Sequence, residues 1–176
     1  MGFHVSWITV KGRNPEDIRA QLELKETSYR ECVPESPVTG AVLPSAWYMV
    51  FFNEPLPREL ADETLRRLSA QAEVMAFVVE EASMVSLARG YVDGERVWEI
   101  VHDSGKGLTH LGVTGTPPKQ FSSIRDRLLG YLHSKRNSAD YLFHVPAELC
   151  KAISGFRHDE DIEGIDGEAF AVLERS

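Results

Sequence analysis

The sequence predicts an α+β domain: a mixed, mainly antiparallel sheet of about five or six strands, with helices packed largely on one face. Three observations lead there. Asp93-Gly94 lies between two runs rich in β-branched and aromatic residues, Met84 to Val92 and Glu95 to Asp103. Asp-Gly suits a two-residue type I′ turn, whose central residues both need positive φ. The continuous apolar run Val74 to Val79 precedes this hairpin and has strand length, so the three segments form a meander. Helix starts also recur between strand-like runs. Asn14-Pro15-Glu16-Asp17 supplies a capping side chain, proline at the first helical position and acids in the first turn.

Counting outward from the turn sets Val92 opposite Glu95, Tyr91 opposite Arg96, Arg89 opposite Trp98, Leu87 opposite Ile100 and Val85 opposite His102. One face then carries Val85, Leu87, Arg89, Tyr91, Trp98, Ile100 and His102, and its bulk makes it the expected core side. Arg89 over Trp98 and Arg96 by Tyr91 would form cation–π contacts at the rim. The other face, with Ser86, Ala88, Gly90, Glu99 and Val101, is expected to be solvated, covered by a helix, or the floor of a groove.

The remaining elements follow in order. Phe3 to Val10 reads as a strand, and the helix begun at Asn14 runs to about Leu24. Lys25 to Ser45 lacks periodicity and is punctuated by Pro34, Pro37, Gly40 and Pro44, so it is expected to be a long loop and a candidate lid. Ala46 to Asn53 is apolar at successive positions, as in a central strand buried on both sides. Arg58 to Ala70 has helical spacing of Leu60, Thr64, Leu65 and Leu68. Ser104 to Pro118 reads as a second long loop, with Thr116 able to cap the next helix. Ser122 to Ser134 is a helix on the spacing of Phe121, Ile124, Leu128, Tyr131 and Leu132. Tyr141 to Val145 reads as a short strand. A helix from Pro146 turns Leu149, Cys150 and Ile153 inward and ends at Gly155. The acidic remainder closes in a short strand or helix at Phe170 to Leu173.

The 176 residues form a single domain, 1–176, able to bury a sizeable core. A net charge of −8 and the lack of a basic stripe argue against nucleic acid as the partner. No run of 18 apolar residues suggests a membrane span, and the N-terminus has no signal-peptide pattern. Met1-Gly2-Phe3-His4-Val5-Ser6 fits a loose myristoylation pattern that a strand start explains as well. Cys32 and Cys150 do not make a disulfide framework, which points to a reducing compartment, with Cys150 buried.

Two polar groupings could carry chemistry. His102, Asp103 and His110 cluster at a strand end, where imidazole and carboxylate suit a metal or a general base with its orienting partner. Arg157, His158 and Asp159 stand in the polar run Phe156 to Asp161, which could bind a divalent cation, although it lacks the spacing and glycine of an EF-hand loop. The structural alternative makes these residues hydrogen-bonded sheet-end and loop groups. Ser104-Gly105-Lys106-Gly107 lacks the phosphate-loop pattern. No nucleophile elbow or dinucleotide-binding glycine pattern occurs, and no cofactor is expected.

Three stretches, WITVKGRNPEDI, VEEASMVSLARGYVDGERVWEIVHD and DYLFHVPAELCKAISGFRHDED, resemble a family of small bacterial α+β proteins without a characterised activity. The resemblance covers most of the chain. It implies a cytoplasmic bacterial protein and carries no catalytic residue over. The functional expectation is a non-enzymatic protein-binding module of immunity-like type. The alternative is a metal-binding protein or metal-assisted hydrolase, for which the strand end at His102 and the segment after Gly155 must meet.

Overall fold

A computed structural model describes residues 2–134 and 139–176. In chain order it contains β1 (His4–Lys11), α1 (Pro15–Gln21), β2 (Leu24–Glu31), β3 (Val38–Val42), β4 (Tyr48–Phe52), α2 (Asp62–Leu68), β5 (Glu73–Glu80), β6 (Val85–Val92), β7 (Glu95–Asp103), β8 (Gly112–Gly115), α3 (Phe121–Ser134), α4 (Val145–Ser154) and β9 (Phe170–Arg175). The α+β class holds. The sheet is larger than expected: among the described residues nine strands join in the order β2-β9-β3-β4-β1-β5-β6-β7-β8. Every neighbouring pair is antiparallel, so the sheet is not mixed.

The helices occupy both faces rather than largely one. On the first face Trp7, Met49, Phe51, Met75, Phe77, Trp98 and Ile100 pack with Phe121, Ile124 and Leu128 of α3 and with Leu149 and Cys150 of α4. On the second face Ile8, Val10, Val50, Phe52, Val74 and Tyr91 pack with Ile18 and Leu22 from the α1 region and with Leu65 and Leu68 of α2. Strand alternation explains this division, because β1 and β4 in mid-sheet are buried at successive positions and feed both cores. The seven-residue α2 is too short to stand alone in water. Its fully buried Leu65 and Leu68 stabilise it by about 2 kcal/mol each.

Several local expectations hold. Asn14 caps α1 by accepting a hydrogen bond from the Glu16 amide at 2.8 Å. Asp93 and Gly94 both have positive φ, 48° and 84°, as the tight turn demands. Gly155 ends α4 in the left-handed region at φ 82°. Other expectations need correction. The stretch Lys25 to Ser45 is not one long loop, since it contains most of β2 and all of β3. The expected loop Ser104 to Pro118 contains β8. Tyr141 to Val145 is not a strand: Leu142–His144 is a 3-10 turn running directly into α4. Residues 58–70 divide into a 3-10 turn at Arg58–Leu60 and α2.

The hairpin register is also corrected. Tyr91 faces Arg96, as counted from the turn, but Gly90 then faces Trp98, Ala88 faces Ile100 and Ser86 faces His102. Val97 is therefore the extra residue of a β-bulge. The reason is steric. A Cβ on Gly90 would overlap the Trp98 indole, so Trp98 lies over the one residue in β6 that has no side chain. Ser86, Ala88 and Gly90 share the α4 face with Trp98, Ile100 and His102. Val85, Leu87 and Arg89 turn to the opposite face, and Arg89 pairs with Glu99 instead of stacking on Trp98. Gly90→Ala is expected to destabilise the fold by about 1–3 kcal/mol through overpacking, read as a lower urea midpoint at unchanged m-value.

Candidate functional site

The sequence-predicted site residues fall into two networks. In the first, His102 is wholly buried. Its Nδ1 lies 2.6 Å from the His110 carbonyl and its Nε2 lies 2.9 Å from Asp140 Oδ2. A carbonyl only accepts, so Nδ1 donates, and Nε2 faces the Asp140 carboxyl in a buried pair. His110 Nδ1 accepts from the Asp103 amide at 2.9 Å, and Asp103 Oδ1 accepts from the Gly105 amide at 2.9 Å. Both imidazole nitrogens of His102 are thus engaged. The network fastens the end of β7 to the loop before β8 and to the segment entering α4.

The second network centres on the buried Arg157 guanidinium. Its Nε and Nη2 donate to the two carboxylate oxygens of Asp159 at 2.6 and 3.0 Å, and Nη2 also donates to His144 Nδ1 at 2.9 Å. Glu148 of α4 lies 3.7 Å away. Burial works against the Asp159 charge, but the Arg157 hydrogen bonds outweigh it and hold that carboxyl below its ordinary value. His144 is driven down by burial and then by the Arg157 charge, so it accepts from Arg157 as a neutral ring. His158 stands apart in an aromatic stack, 5.7 Å from Phe77, 5.6 Å from Trp7 and edge-on to Phe3 at 4.7 Å. Burial lowers its pKa too.

The two networks adjoin through residues 140–144. Phe143 lies edge-on to both His102 and His144, yet the imidazoles face different partners. Among the described residues no three His, Cys, Asp or Glu side chains are grouped so as to hold a metal ion. Sequence reasoning missed Asp140 and His144, which contact His102 and Arg157 only through the tertiary fold. It placed Cys150 correctly in the core, where burial pushes the thiol up.

Among the concave features of the described residues, two present the most apolar surface. The larger is a cavity of about 540 Å³ at the ends of β1 and β4. Phe3, Val5, Phe51, Phe156 and Phe170 give it an apolar lining, and Asn53, His158, Glu160 and Asp161 supply the polar groups. Both side walls are pinned. Asn53 Nδ2 donates to the Pro34 and Ser36 carbonyls, and Glu31 accepts from the Glu35 and Ser36 amides. These bonds hold the loop after β2. Opposite, the Arg157–Asp159 fork and the Lys151–Glu160 pair hold the loop after α4.

The second feature is a groove of about 310 Å³ on the other side of the sheet. Its floor is Ala76, Val78, Val85 and Leu87, and its wall is Pro55, Leu56, Leu60 and Leu65. Leu87 lies here opposite Val78 of β5, and the β-bulge brings Val101 of β7 beside it. Val78, Val85 and Leu87 are only half-buried, and Leu56 is 79% exposed. At the margins Glu80 pairs with His4, and Arg89 with Glu99.

Two outcomes follow. Asp140→Ala, which removes one partner of a buried pair, is expected to cost about 3 kcal/mol in chemical denaturation. Stability is also expected to fall between pH 7 and pH 5. The folded-state pKa values of His144 and His158 lie below that of an unfolded imidazole, about 6.5, so the unfolded chain takes up protons first. Their contribution is complete above that value and is lost as the pH falls below it. A His144→Gln/His158→Gln double variant should flatten this slope, measured as urea midpoints at pH 7.5 and 5.5. No protein-family model, no curated protein and no solved structure matches this chain, so the functional reading rests on the two concave surfaces themselves.

Proposed function

We propose that the chain is a non-enzymatic protein-binding module of immunity-like type, docking an apolar segment of a basic partner protein in the groove over β5 and β6. The observation that carries this reading is the apolar sheet face that α2 leaves open, where Val78, Val85 and Leu87 meet the exposed Leu56. A contiguous apolar surface with a charged margin is characteristic of an interaction site. The net charge of −8 favours a basic partner by electrostatic steering. The structural engagement of His102, His144 and Arg157 supports binding over catalysis. The resemblance to small bacterial proteins makes the cytoplasm the setting in this reading, and among the described residues no helix is long and apolar enough to cross a membrane.

The test is a tagged pull-down from native lysate at low and moderate salt, with Leu56→Asp and Leu87→Asp as separate variants and sedimentation of the purified chain as the companion measurement. A basic protein held stoichiometrically by the parent chain, weakened by salt and bound about 30-fold less well by either variant would support the groove as its seat. Equal capture by the variants would exclude the groove. Self-association of the parent chain that either variant abolishes would make a second copy the occupant and defeat the basic-partner reading.

A further inference from the structure

We propose that the cavity at the ends of β1 and β4 is a separate binding site for an organic cation, a ligand with an ammonium or similar centre on an apolar body. This does not depend on what docks in the groove, which lies across the sheet.

The lining carries the chemical argument. Phe3, Phe51, Phe156 and Phe170 put four aromatic rings around one space. Aromatic faces carry negative quadrupole charge and attract cations, more strongly where water is excluded. The lining side chains include two carboxylates, Glu160 and Asp161, and no Lys or Arg. Glu160 is compensated by Lys151 and lies 3.8 Å from Arg157. Asp161 has no ion-pair partner among the described residues. His158, the one imidazole in the wall, is disfavoured as a cation by burial.

The wall itself extends the same field. Between His158 and Phe170 the chain carries Asp159, Glu160, Asp161, Glu163, Asp166 and Glu168 and no basic residue. All six are exposed; Asp159 and Glu160 are held in ion pairs with Arg157 and Lys151. Glu81 adds a carboxylate at the Phe3 edge, where its Oε2 accepts from the Phe3 amide at 2.9 Å. An anion entering here would meet acids on the loop and no Lys or Arg in the lining. A neutral apolar molecule would gain burial alone. A cation with an apolar body gains burial, ring faces and carboxylates together, and the volume of about 540 Å³ lies within the range of small-molecule sites.

Three probes of similar shape test it: benzyltrimethylammonium, benzyl alcohol and benzoate, each titrated into the full chain by calorimetry and by amide chemical-shift mapping. The expected result is binding of benzyltrimethylammonium at least about tenfold tighter than either other probe, with shifts concentrated at residues 32–34 and 156–167. Phe3→Leu removes a ring face but keeps an apolar side chain, and Asp161→Asn removes one exposed charge. Each should weaken the cation about three- to tenfold and leave benzyl alcohol within about twofold. Both positions are solvent-exposed, so the folded state should survive either change. Benzoate or benzyl alcohol binding as tightly as the cation would overturn the proposal. So would the absence of cavity shifts with any probe, or a cation preference that both variants retain.

Discussion

The seating of the Trp98 indole on Gly90 is the constraint on which the arrangement depends. It forces Val97 out of register one step from a tight turn. From that bulge onward, Trp98, Ile100 and His102 share the α4 face with the small residues of β6. The helix can approach closely because Ser86, Ala88 and Gly90 leave room, and Ser86 Oγ donates to the Phe143 carbonyl at 2.7 Å. Val85 and Leu87 stand on the far side by strand alternation, in unbroken register with β5. The open apolar face and the helix-packed face are thus the two sides of one alternating strand, and the bulge brings the large side chains of β7 onto the helix-packed side.

Electrostatics divides the molecule in a complementary way. The groups with most apparent chemical potential, His102 with Asp140 and Arg157 with Asp159 and His144, are used to fasten loops to the sheet. Buried pairs of this kind contribute modestly to net stability but are costly to break, which suits segments that must be held in place. The pinned loop after α4 then presents its remaining acids outward. Fastening and presentation are carried by successive residues of one loop, with Asp159 turned to Arg157 and Asp161 lining the cavity.

What was legible in the sequence was local. Asn14, the Asp93-Gly94 turn, the Gly155 cap and the two-sided β4 each rest on conformations that a few adjacent residues determine. The strands that escaped notice lack such support. β2 reads LKETSYRE and is mostly exposed at the sheet's edge, so no apolar alternation marks it, and its hydrogen-bonding partner lies far along the chain. β8 has four residues, two of them glycine. Tyr141 to Val145 looks like a strand because a short apolar run cannot distinguish a strand from a buried turn of helix. The His102–Asp103–His110 cluster was legible as a cluster, but Asp140, which decides what His102 can do, stands 38 residues away. The cavity was legible least of all, since its lining is gathered from β1, β4, two loops and β9.

The position of β9 has a further consequence for how the protein is made. β2 and β3 are consecutive in the chain but do not touch as strands; β9 sits between them and pairs with both. Until Phe170–Arg175 has been synthesised and has left the ribosome, β2 has no strand partner and β3 keeps one open edge. A nascent chain thus carries unpaired strand edges while the whole segment between β2 and β9 is made, which is when edge-to-edge aggregation is easiest. The alternating charges of β2, Lys25, Glu26, Arg30 and Glu31, and the irregularity between Glu26 and Arg30 are protections suited to that interval as much as to the finished sheet.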